Sequence, residues 1–274
     1  MKIGISSWSY RKAIESGRTD FIGFVDEVAR LGAHGLEIAN WHLAGGHGDP
    51  KDEKAAALRK IVDHVNGCGL GVSALIAGND FAVPAVADRA RQVAATIGWV
   101  RMAADVGIER VNVFTGYHTD GHDPEMERAR VVDCFGEVVP EAEKRGVILC
   151  LENHSTVHPD ADGLLAIIGQ IGSDCLRTNP DPTNFVAGFD RLDDAARERI
   201  YTETAKIAPL AANTHLKINT FTPDGQAEFV DTARILDLYR HVGYDGFIVL
   251  EYWGNDEPED PNAKGVALLE SLLS

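Results

Sequence analysis

The chain has 274 residues, 45% of them hydrophobic and 25% charged, enough to bury a large core without disulfides or a partner. Its 42 acidic residues outnumber 26 basic ones, and the net charge of −16 argues against a surface built to track phosphate backbones or anionic lipid. No nucleic-acid or membrane partner is expected. No run approaches the roughly 18 apolar residues of a membrane span, and Lys2-Ile3-Gly4-Ile5 lacks a leader's basic and apolar regions, so a cytoplasmic location is expected.

Eight apolar runs, each predicted to be a strand, alternate with helical stretches. Run 2–8 precedes a helix near 20–31, run 35–39 one near 51–66, run 71–76 one near 84–105, and run 110–114 one near 124–145. Run 147–152 precedes 161–171, run 176–179 precedes 190–206, run 211–217, entered after Pro209, precedes 227–241, and run 246–251 precedes 259–273. Glycines 32, 69, 107, 146, 172 and 243 stand where helices should stop. Asp123-Pro124 offers a cap followed by proline at the first helical position. The acidic stretch 254–262, with two prolines, reads as the loop after the last strand. Cys68, Cys134, Cys150 and Cys175 lie far apart without a Cys-x-x-Cys pair, which predicts reduced, packed thiols.

Eight strand–helix units predict a single-domain (β/α)8 TIM barrel over 1–274, with a doubly wound open sheet as the alternative. No Gly-x-Gly-x-x-Gly follows the first strand, and no Gly-x-x-x-x-Gly-Lys-Ser/Thr occurs, so the usual markers of nucleotide-cradling folds are missing. In a barrel, chemistry belongs at the C-terminal strand ends. Strand five ends in Glu152, strand six leads to Asp181, strand seven carries His215 and strand eight ends in Glu251, at intervals of 29, 34 and 36 residues. One such residue is as readily a helix cap or an arginine's partner; four at one-unit intervals point to a shared site. Three carboxylates and an imidazole repel unless a cation lies between them, and oxygen-rich ligation with one histidine suits Mn²⁺, Mg²⁺, Co²⁺ or Fe²⁺ better than Zn²⁺.

Period-two alternation puts His154 on the face of Glu152, Lys217 on that of His215 and Trp253 on that of Glu251, so all three are candidate substrate contacts. Glu37, ending strand two, either reaches the substrate or pairs with an arginine. Trp8, Tyr10 and Trp41 also fall near strand ends, where rings pack on loops or offer a platform to sugar C–H groups. His118, just past strand four, is a further candidate. His34, His42, His47, His64, His122, His158 and His241 show no metal-ligand spacing and read as surface residues.

The pieces Leu151-Glu152-Asn153-His154, Asp181-Pro182-Thr183-Asn184, His215-Leu216-Lys217 and Leu250-Glu251-Tyr252, with Gly35-Leu36-Glu37-Ile38, resemble the sugar phosphate isomerase/epimerase superfamily of barrels related to xylose isomerase. The resemblance covers essentially the whole chain. It implies that Glu152, Asp181, His215 and Glu251 bind one divalent metal, manganese first among the candidates, with Glu152 and Glu251 also acting as acid and base. Ketose epimerases of the superfamily usually carry histidine where this chain has Asn184, so Asn184 would face the substrate in its place and a plain ketose 3-epimerase is not implied. The chemistry expected is isomerisation or epimerisation of an unphosphorylated sugar, polyol or keto-sugar, through proton abstraction beside a metal-polarised carbonyl and an enediolate. The alternatives are a lyase or dehydratase acting on a keto-sugar, keto-inositol or 3-keto-glycoside, and a non-catalytic metal-binding subunit. A repair endonuclease would want more histidines and a basic face. The superfamily also allows a homo-oligomer.

Overall fold

The computed structural model describes residues 1–43, 49–154, 157, 160–186 and 192–274, so His47 and His158 lie outside it. Strands β1 (Lys2–Ser6), β2 (Gly35–Ala39), β3 (Gly71–Ile76), β4 (Arg110–Phe114), β5 (Ile148–Glu152), β6 (Leu176–Asn179), β7 (Thr214–Ile218) and β8 (Phe247–Tyr252) form one parallel sheet. Helices α1 (Arg11–Glu15), α2 (Phe21–Arg30), α3 (Asp52–Gly67), α4 (Val86–Asp105), α5 (Pro124–Arg145), α6 (Ala161–Ile171), α7 (Asp194–Ile207), α8 (Thr232–His241) and α9 (Glu259–Leu273) connect them. Hydrogen bonding runs β6-β5-β4-β3-β2-β1-β8-β7. The two ends of that order meet: Ala212 N donates to Thr178 O and His215 N to Pro180 O, both at 2.9 Å, beside a parallel bridge from Thr178 to Ala211. This seam closes the predicted (β/α)8 barrel.

The local signals act as the sequence suggests. Asp123 Oδ1 accepts from Glu125 N at 3.0 Å, with Pro124 at the first helical position of α5. All six stop glycines take positive φ, between 65° and 79°. At Gly146 this left-handed turn directs its N–H back to the carbonyls of Ala142 and Glu143, ending α5 just before β5.

Boundaries move where side chains cap the backbone. Run 2–8 stops at Ser6, whose Oγ accepts from Trp8 N at 3.3 Å and opens a short 3-10 turn; the short helix α1, not anticipated, follows. α7 and α8 start later than expected because Asp193 and Asp231 cap them, accepting from Ala196 N at 2.8 Å and Arg234 N at 3.0 Å. β7 begins at Thr214 because 211–213 form the seam. The expected loop 254–262 is already helical from Glu259, and buried Asn262 donates from Nδ2 to Pro258 O at 2.7 Å.

The core lies between barrel and helices. Ile3, Ile5, Leu36, Ile38, Val111, Val113, Leu149, Leu151, Leu216, Ile248 and Leu250 point outward into one continuous apolar cluster with the helices. The opposite parity fills the bore largely with buried polar groups, among them Glu37, Asn112, Glu152, Asn179, His215, Lys217 and Glu251. The four cysteines are free thiols, Cys134 and Cys150 buried and Cys68 and Cys175 partly so. Among the described residues no helix is long and apolar enough to cross a membrane.

Candidate active site

Parallel register sets the depth of each side chain in the bore. Glu152 ends β5 level with Phe114 on β4 and Asn179 on β6. Its Oε2 accepts from Asn112 Nδ2 at 2.7 Å and Asn179 Nδ2 at 3.3 Å, and its Oε1 from Asn184 Nδ2 at 3.2 Å. His215 Nδ1 lies 3.5 Å from the same Oε1. The other ring nitrogen is anchored below: Nε2 lies 2.9 and 3.0 Å from the two oxygens of Glu37, which also accepts from Ser6 Oγ at 3.0 Å and Asn213 Nδ2 at 3.1 Å. A carboxylate only accepts, so Nε2 carries a proton toward Glu37 and Nδ1 is the ring nitrogen left facing the mouth.

Asp181 follows β6, where its Oδ1 takes Thr183 N at 3.1 Å and Thr183 Oγ1 at 2.8 Å. Its Oδ2 lies 2.7 Å from Lys217 Nζ. Lys217 is level with Glu251 across the β7–β8 pair, and its Nζ reaches Glu251 Oε2 at 3.4 Å and donates to Asn184 Oδ1 at 2.7 Å. Glu152, Asp181 and His215 each offer a ligand atom within 4.8 Å of the others'. Glu251 joins this trio only through Lys217. Asp181 Oδ2 and Glu251 Oε2 are buried and face the Lys217 ammonium, and His215 Nδ1 is buried and faces Glu152 Oε1. A donor set of carboxylate oxygens and one imidazole nitrogen converging at one buried spot fits a divalent cation.

The two glutamates are driven apart electrostatically. Burial pushes Glu152 up, but His215, seconded by His154 and Lys217, outweighs it and holds the carboxyl at about 2. Burial raises Glu251, and Lys217 and His215 only partly offset it while Asp181 and Glu152 reinforce it. Burial disfavours charge on His215, yet Glu37 and Glu152 prevail and its pKa stands well above the usual value. The ammonium of Lys217 is likewise kept charged against burial by Asp181 and Glu251. The two carboxyls are thus shifted in opposite directions, Glu152 down and Glu251 up.

Glu152, His215 and Glu251 line a cavity of about 690 Å³ with His154, Tyr117 and Trp253 among others, whereas Asp181, Asn184 and Lys217 are not among its lining residues. Trp8 and Trp253 stand 5.5 Å apart, Trp8 and Trp41 6.1 Å edge to face, and Lys217 Nζ lies 5.0 Å from the centre of the Trp253 ring. His154 packs on Phe114 at 5.0 Å, with Tyr117 Oη 3.5 Å from its Nδ1.

The structure therefore brings together Glu152, Asp181, His215, Glu251, His154, Asn184, Lys217 and Trp253. It sends two candidates elsewhere. Glu37 is fully buried beneath His215 and does not line the cavity. His118 bonds through Nδ1 to buried Glu127 of α5 at 2.7 Å and is not among the lining residues either. Asn112, Asn179 and Asn213 were not anticipated; their signal is a polar residue of inward parity in, or one step before, an otherwise apolar strand.

Residues 25–272 match the family model of the xylose isomerase-like TIM barrel. No curated protein matches the sequence. Among solved structures, D-psicose 3-epimerase from Clostridium cellulolyticum H10, bound to D-tagatose, superposes with a TM-score of 0.73 at 16% identity, over 99% of this chain and 98% of that one. The 3-keto-D-glucoside 4-epimerase of E. coli gives 0.74 at 14% identity over 99% of both chains. A probable 3-DHS dehydratase of Bacillus anthracis gives 0.72 at 15%, over 98% of this chain and 99% of that one. At such identities the likeness is one of fold.

Proposed function

Because the chain belongs to the xylose isomerase-like TIM-barrel family, we propose that its mouth is the active site of a divalent-metal-dependent isomerase or epimerase acting on an unphosphorylated sugar, polyol or keto-sugar. The observation that carries the reading is the convergence of ligand atoms from Glu152, Asp181 and His215, all three buried, within 4.8 Å of one another. Glu152, Asp181, His215 and Glu251 would hold the ion, manganese being the first choice. Once bound, it would supply a Lewis acid that polarises a carbonyl and its neighbouring hydroxyl and so acidifies the C–H between them.

Glu152, held ionised by amide donors and His215, removes that proton. Glu251 returns one from the other side. Return to the opposite face of the same carbon inverts it; return to the adjacent carbon exchanges aldose and ketose. Lys217 offers positive charge to the oxygen that becomes negative, and Asn184 holds Glu152 and Lys217 in a fixed relation. His154 and Trp253 present a polar and an aromatic wall to a sugar ring. A phosphate group finds little here: among the described residues the one lining arginine, Arg91, is ion-paired to Asp88.

Asn184 favours a second reading, elimination of water or an alcohol from a keto-sugar. An amide cannot relay a proton as the histidine of ketose epimerases can, whereas Lys217 beside Glu251 suits a departing hydroxyl. The test is incubation of manganese-loaded protein with keto-sugars in heavy water. Deuterium beside the carbonyl with isomeric products supports the first reading; loss of water or aglycone supports the second. No exchange with any keto-sugar, in protein shown to bind the metal, refutes both.

A further inference from the structure

We propose that Asp26, His64 and Cys68 form a second metal site, on the outer helical ring and of the zinc class, distinct from the mouth and independent of the function proposed above. His64 lies in the last turn of α3 and Cys68 directly follows that helix. The four-residue spacing sets both side chains on one face, one turn apart. Asp26 projects toward them from the neighbouring helix α2. A ligand atom from each of the three falls within 4.8 Å of the others. His64 Nε2 is 3.8 Å from Cys68 Sγ and 2.6 Å from Asp26 Oδ1.

These separations can be set against tetrahedral zinc. Bond lengths of roughly 2.0–2.1 Å to nitrogen, 2.0–2.2 Å to oxygen and 2.3 Å to sulfur imply nitrogen–sulfur and nitrogen–oxygen separations of about 3.6 and 3.4 Å. The imidazole and thiol already stand at such a spacing. The carboxylate must withdraw by just under about 1 Å, which its 61% side-chain exposure permits. A hydrogen-bonded Asp–His pair alone would be an ordinary surface contact. The thiol sharing the same ring nitrogen makes it a mixed oxygen, nitrogen and sulfur set, which zinc accepts with water in the fourth position. Binding would release the thiol proton and clamp α2 to α3. The site lies where α3 runs into β3 at Gly71, the end of the barrel opposite the mouth.

Cobalt(II) distinguishes the two sites, because only this one offers a thiolate. Metal-free, reduced protein is titrated with Co²⁺ and followed in the near ultraviolet, where thiolate-to-cobalt charge transfer absorbs. The expected result is a band that is displaced by Zn²⁺ and that saturates at one ion per chain where Asp181→Ala removes competition from the mouth. It should be lost in Cys68→Ser, lost or shifted in His64→Gln, and kept in Glu152→Ala and Asp181→Ala. Circular dichroism checks that the variants fold. No band in the parent protein, or a band that survives in folded Cys68→Ser, overturns the assignment. Failure of the mouth to bind metal would leave this result untouched, and the reverse also holds.

Discussion

Replacing Glu37 by glutamine probes whether a residue outside the cavity sets the proposed metal site. Two oxygens of Glu37 receive three donors, from Ser6, Asn213 and His215. In Glu37→Gln one oxygen becomes an amide that donates. The least disruptive arrangement puts the amide nitrogen at Oε2, where the Ser6 hydroxyl can turn and accept. The carbonyl at Oε1 then keeps Asn213 Nδ2 and His215 Nε2. Shape is preserved and the charge is lost. A hydrogen bond to an ionised partner contributes about 1.5–3 kcal/mol and a neutral one about 0.5–1.5, so the anchor on His215 weakens by roughly 1–1.5 kcal/mol. At about 1.4 kcal/mol per decade, metal affinity should fall about 5- to 12-fold, near the lower end of the range usual for groups that orient a ligating histidine. Isothermal titration of metal-free protein with Mn²⁺ measures it directly. Affinity within about twofold of the parent, in folded variant, would show that Glu37 does not position His215 and would refute the reasoning.

Other outcomes follow from the same geometry. Glu152→Gln keeps the size of the base but not its basicity, and deuterium uptake should fall by about 10²–10⁴-fold while the fold persists; uptake near the parent rate would move the base elsewhere. The metal competes with a proton for His215 Nδ1, whose pKa in the metal-free protein is raised. Mn²⁺ binding should therefore weaken by up to about tenfold for each pH unit below that raised pKa, and titrations showing no loss on acidification would contradict it. Glu127 on α5 is buried; burial pushes its carboxyl up, but the His118 bond and the Thr119 N–H outweigh this and lower it. Its folded pKa is depressed, so its stabilisation is complete above the ordinary glutamate pKa and lost as pH falls through the depressed one. Glu127→Gln should cost about 1–3 kcal/mol in urea denaturation at pH 7, with a smaller difference in acid.

Much of the barrel can be read from the chain because period-two runs and stop glycines are local. Six glycines with positive φ and the Asp123 cap do in the structure what their chemistry suggests. The errors arise where a side chain answers the backbone at short range: Ser6, Asp193 and Asp231 each moved a boundary. Strand-end position picked out Glu152, Asp181, His215 and Glu251, which the structure places around one mouth, since strand number and register fix where a residue emerges. Position could not say which way Glu37 turns, because its partners His215 and Asn213 lie across the bore, far away in sequence. The same holds for His118, claimed by Glu127, and for His64, which read as a surface residue until α2 set Asp26 beside it.

The division between an oily outer layer and a polar bore has an evolutionary consequence. Leu36, Leu149, Leu216 and their neighbours hold the strands to the helices without help from the inward parity. A substitution in the bore therefore disturbs a few mutual hydrogen bonds rather than the layer that keeps the chain folded. Such a scaffold tolerates trial. A lineage can exchange Asn184 or Trp253 and reshape the mouth, while inherited outward-facing residues preserve the architecture around the experiment.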